Sequence, residues 1–125
     1  MGESEEIGVV IGRAVDRLVD AGLWDEKRSA DYEVHKEDVV RARARLRRAG
    51  EKLTSNPGNQ RLALLCVAAI RENFRAFANF LETVGVDGLA RRYRAAALLE
   101  DRELAAVCND LDSLEIETNP RFDRG

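Results

Sequence analysis

The chain has 125 residues, 45% of them apolar and 34% charged, with a formal net charge of −3. That length carries a single domain able to bury roughly two-thirds of its unfolded surface, so a core needs neither a metal nor a disulfide. The slight acidity excludes a protein held to nucleic acid by its overall field, and the longest apolar run, Leu62–Ile70, falls far short of the ~20 residues that cross a bilayer.

Residues 1–5 read as a flexible N-terminus. They are acidic and lack the basic opening of a signal peptide, and Glu6 stands where a myristoylation signal requires Ser or Thr, so the expected location is cytoplasmic. Helix one is expected from Glu5 to Ala21, because Ile7, Val10, Ile11, Ala14, Val15 and Leu18 recur at three- and four-residue steps. Gly22 ends it, and Leu23 and Trp24 then fold back as a plug on the helix end. Gly8 and Gly12 are spaced for a close helix approach.

Helix two is expected from Ser29 to Leu53. Its seam of Tyr32, His35, Val39, Ala42, Leu46, Ala49 and Leu53 has the alternating steps of an antiparallel helix pair. Acidic residues crowd its first turns and arginines its later ones, which suits the helix dipole. Residues 54–59 form the clearest loop, with Asn56 as the N-cap and Pro57 as the first residue of helix three.

Helix three runs to Thr83 or Val84 and is stopped by Gly85. Its unbroken apolar opening, continued by Phe74, Phe77, Phe80 and Leu81, marks it as the buried centre of the bundle. Asn73 lies on its apolar side and is expected to hydrogen-bond across the bundle. Asp87 caps helix four, which presents Leu89, Tyr93, Ala96 and Ala97. Helix five offers Leu104, Val107, Cys108, Leu111 and Leu114. Residues 116–125 read as an extended or disordered tail carrying one aromatic, Phe122, between Arg121 and Arg124. No segment shows the period-two alternation of a strand.

The usual catalytic signatures are missing. His35 is the sole histidine, so no paired imidazoles exist for zinc, and no Glu-x-x-His pair exists for a di-iron bundle. No glycine-rich phosphate loop or oxygen-rich calcium loop appears. Cys66 and Cys108 lie far apart on apolar helical faces, as buried thiols do, although a shared core would let them pair. No cofactor and no metal are expected, and no enzymatic activity.

One local charge feature stands out. On a helix, Arg41, Arg45, Arg48 and Lys52 share one side, with Arg43 and Arg47 beside them and Arg91, Arg92 and Arg94 as an extension. Such a strip is able to follow phosphates. Against it, Glu37 stands four residues before Arg41 and no aromatic interleaves the arginines for base stacking.

Residues 39–86 add a resemblance. An Arg- and Ala-rich helix, a Pro-Gly turn and a long apolar helix ending Phe77-Ala-Asn-Phe80-Leu-Glu-Thr-Val-Gly85 resemble the HEPN family of helical bundles. The resemblance implies a helical bundle of about this size and a link to RNA, since the family includes RNA-cutting toxins and partners of small nucleotidyltransferases. Its ribonuclease motif, an Arg followed closely by a His near the C-terminal helices, has no counterpart, because no His follows His35.

The sequence thus predicts an all-α protein: residues 6–115 forming one compact bundle of four to five mostly antiparallel helices around a central apolar helix. The expected function is that of a non-catalytic interaction protein, an accessory subunit or homo-oligomer. Its candidate protein interface is Trp24, Tyr32, His35, Val39 and Phe122. The alternative is a nucleic-acid-associated module binding its anionic partner through Arg41, Arg45, Arg48, Lys52, Arg91 and Arg94. No membrane partner is expected.

Overall fold

Capping chemistry sets the helix boundaries in a computed structural model that describes residues 7–107. The first helix, α1 (Ile7–Asp20), ends as Gly22 takes a φ of +73° and the Leu23 amide donates to the Leu18 carbonyl, the bond that closes a left-handed C-cap. Gly12 faces open space, with nothing within 4 Å of where a β-carbon would stand, so the close approach expected there is not made.

The second helix, α2 (Glu26–Ser55), starts a turn earlier than its apolar seam suggests. Asp25 is the N-cap, its carboxylate accepting the Arg28 amide at 2.8 Å. The helix then runs straight through the buried Gly50. Asn56 proves to be the C-cap of α2, and the chain turns at Gly58, with φ +88°. The third helix, α3 (Gln60–Thr83), is therefore capped by Asn59, whose side chain accepts the Leu62 amide at 3.0 Å. An asparagine two residues after Pro57 makes the better cap because the Gly58 turn lies between them.

Gly85, at φ +80°, closes α3 as expected. The fourth helix, α4 (Asp87–Ala96), has Val86 at its N-cap position, and Asp87 is its first helical residue, placing a carboxylate in the positive first turn rather than on a cap bond. The fifth, α5 (Asp101–Val107), follows a short turn. Among the described residues there are five helices and no strand. No helix there is long and apolar enough to cross a membrane.

The long pair is antiparallel. Arg28 of α2 meets Thr83 of α3, Arg45 meets Glu72, and Lys52 stands by Leu62, so numbers rise on one helix as they fall on the other. Helix α3 is the shared element, packing on α2, α4 and α5. One core cluster joins Ile11 and Ala14 of α1, Val39 of α2 and Phe77, Phe80 and Leu81 of α3, with Trp24 and Tyr32 against it. A second joins Leu46, Cys66, Ile70, Phe74, Ala97 and Leu104, and Tyr93 packs on both.

Two further expectations, both about α3, differ from the structure. The opening of α3 is not buried all round: Cys66, Val67, Ala69 and Ile70 face inward, but Leu64 and Leu65 are 59% and 52% exposed, because no described element covers that side. Asn73 is 1% exposed and neither amide atom has a hydrogen-bond partner, so it does not bond across the bundle. Cys108, Leu111, Leu114, Phe122 and the expected tail lie outside the described residues.

Candidate functional site

The cationic strip lies along the outer edge of α2 with an extension on α4, and half of its six candidate residues are ion-paired. Arg41 pairs with Asp38 and reaches Glu37 at 3.8 Å. Arg45 crosses to Glu72 of α3, and that hydrogen bond and charge hold its guanidinium still more firmly protonated than usual. Arg94 of α4 bonds Asn79 at 3.1 Å and Glu82 at 2.8 Å, both on α3. Arg48, Lys52 and Arg91 form no ion pair among the described residues. The strip is thus reduced to one uncompensated pair on the last turns of α2, with Arg91 on a different helix.

The seam of α2 is turned inward. Val39 is 1% exposed and belongs to the core. Tyr32 packs against Phe80 with the rings tilted and their centres 5.1 Å apart, and Trp24 meets Tyr32 edge to face at 5.5 Å. Trp24 is therefore a plug on the core edge. His35 is half-buried, its Nδ1 3.7 Å from the Asp38 carboxylate and not hydrogen-bonded. Of the residues expected at an interface, Trp24, Tyr32 and His35 keep some accessible surface, and Phe122 is outside the described residues.

Two open clefts are polar. One, of about 530 Å³, is lined by Asp25, Arg28, Asp31, His35, Asn79 and Glu82, and Arg28 spans it to the Thr83 carbonyl at 3.0 Å. The other, of about 370 Å³, lies between Arg41, Arg45, Glu72 and Arg75. Neither brings together a nucleophile and an oriented base. Among the described residues no cluster of three His, Cys, Asp or Glu side chains is placed to hold a metal ion.

The third depression is of a different kind. Where the end of α2 passes the start of α3, a groove of about 260 Å³ is floored by Ala49, Leu62, Leu65, Ala68 and Ala69. Arg45, Arg48 and Lys52 form its lip on α2, and Glu72 closes it where Arg45 crosses. The floor is apolar and the lip cationic, which is the chemistry of a surface for an amphipathic partner.

No family model, no curated protein and no solved structure matches this chain. The likeness of residues 39–86 to HEPN bundles finds no support in those comparisons.

The groove was only half visible in the sequence. Its lip is legible as the run of arginines, whereas most of its floor lies within an apolar run whose continuity predicts burial on every side. A discriminating signal exists: Arg61, Leu65, Ala68 and Glu72 recur at steps of four, three and four, so two charged residues mark the same outward face as Leu65.

Proposed function

We propose that this protein is a non-catalytic helical interaction protein, an accessory subunit or homo-oligomer, that engages its partner through the groove between α2 and α3. One observation carries the reading: Leu65, more than half exposed, lines an apolar depression together with Leu62, and its chain neighbour Leu64 is exposed as well. Leucines clustered at such a depression point to a surface that another molecule covers.

The test is a single surface substitution. Leu65→Glu leaves the unfolding midpoint close to wild type, since the side chain is exposed, but abolishes a stoichiometric partner or self-association seen by light scattering across a concentration range. Equal association of wild type and variant overturns the reading.

The alternative, a nucleic-acid-associated module, draws support from Arg48, Lys52 and Arg91, which lack ion pairs among the described residues. It requires RNA or DNA binding that weakens steeply with salt and is lost in Arg48→Glu/Lys52→Glu. Failure to bind either at low salt removes it.

A further inference from the structure

We infer that the occupant of the α2–α3 groove is an acidic amphipathic helix of a partner protein. The inference rests on the groove being a docking face and adds the chemistry of what docks there. Leu62, Leu65 and Ala68 offer no hydrogen-bonding side chain, so whatever covers them must satisfy its own backbone groups, as a helix does and an extended strand does not. The walls are themselves two helices lying side by side, and a third helix packs into such a channel by setting its ridges between theirs. Its apolar residues at three- and four-residue steps then meet the leucines.

Charge fixes the rest. Arg48 and Lys52 stand at one lip without a partner among the described residues. A neutral helix seated on the floor would strip water from the stems of both and return nothing to their charged heads, whereas Glu or Asp on its α2-facing side completes them. At the other end the Glu72–Arg45 pair is already balanced, so the ligand's acidic residues are needed only toward the last turn of α2. Nucleic acid fits poorly: the lip offers two unpaired cations, and the floor has no aromatic on which a base stacks.

The test uses the full chain and fluorescence anisotropy with three labelled helical peptides of about 18 residues, long enough to hold helix. All carry leucines at i, i+3, i+4 and i+7, with the flanking positions as Glu, Gln or Lys. A labelled single-stranded RNA serves as the fourth probe. The Glu peptide is expected to bind, the Gln peptide to bind about tenfold more weakly, and Arg48→Glu/Lys52→Glu to reverse the order so that the Lys peptide binds best. Arg48→Gln/Lys52→Gln, which adds no charge, abolishes the preference for Glu over Gln. Leu65→Glu abolishes binding of every peptide.

Equal binding of the Glu and Gln peptides, both lost in Leu65→Glu, overturns the acidic partner and leaves the docking face standing. If no peptide binds but the chain self-associates through Leu65, the occupant is a second copy and the inference fails. RNA binding without peptide binding overturns both this inference and the docking reading, in favour of the nucleic-acid alternative. No binding of any probe, with no self-association, overturns both as well.

Discussion

Arg71 and Asp101 tie the middle of α3 to the first residue of α5, with Nη2 of the guanidinium 2.7 Å from the carboxylate Oδ1. The same guanidinium donates through Nη1 to the carbonyls of Ala97 and Leu99. These carbonyls follow the last turn of α4, where helical acceptors run out of donors. One arginine therefore caps α4, shapes the turn and holds α5 in place.

Replacing Arg71 with Ala is expected to destabilise the chain by about 1–2 kcal/mol, mostly through the backbone carbonyls, since the Asp101 end is exposed and worth little. Hydrogen exchange checks where the loss falls. Amides of residues 98–104 exchange faster in the variant while those in the middle of α2 hardly change. Arg71→Lys restores less than half of the protection, because an ammonium lacks the planar fork that serves several acceptors at once. Unchanged exchange at 98–104 refutes the assignment.

Asn73 makes the opposite prediction. Its amide is buried with both polar atoms unpaired, and leaving such a group unsatisfied costs about 1–3 kcal/mol. Asn73→Leu, close in size and without the amide, is expected to raise the urea midpoint by an amount equivalent to about 1–2 kcal/mol, with the slope of the transition unchanged. Asn73→Asp, which places a charge in the same site, lowers it. A lower midpoint for the leucine variant means that the amide is satisfied in solution.

Tyr32 carries a pH dependence. Burial, with the Glu33 charge adding to it, pushes the Tyr32 phenol above its ordinary value of 10.0. The folded chain keeps this proton at pH values where the unfolded chain is releasing it. The resulting stability is full below about pH 10 and is lost as pH rises through the higher folded value. Urea midpoints taken from about pH 9 to about pH 11.5 should fall less steeply in Tyr32→Phe than in wild type. Parallel curves exclude the contribution.

How much of this was legible in the sequence depends on which signal was read. Gly22 and Gly85 announced two helix ends correctly, because a left-handed residue after an apolar pattern has few other uses. The loop at 54–59 misled in its details: Asn56 and Asn59 are both capping residues, and only the Gly58 turn decides that the first ends α2 and the second begins α3. Phe77, Phe80 and Leu81 were legible as core because they repeat on one face. Leu64 and Leu65 were not, since apolar neighbours hide the difference between a helix wrapped on all sides and one left open on one. Nor does a sequence show that Arg45 spends its charge on Glu72, a residue on another helix.

That cross-helix pair supplies the last prediction. Arg45 and Glu72 are each about half exposed, so their attraction is screened by solvent and contributes little to folding. Glu72→Gln should therefore leave the unfolding midpoint nearly unchanged. It also frees Arg45, lengthening the uncompensated lip of the groove from Arg48 and Lys52 to include a third cation. The acidic peptide should then bind about two- to fivefold tighter, the gain shrinking as salt rises, while the Gln peptide is unaffected. If Glu72→Gln instead weakens the acidic peptide, Glu72 itself contacts the ligand, and the polarity assigned to the groove is reversed.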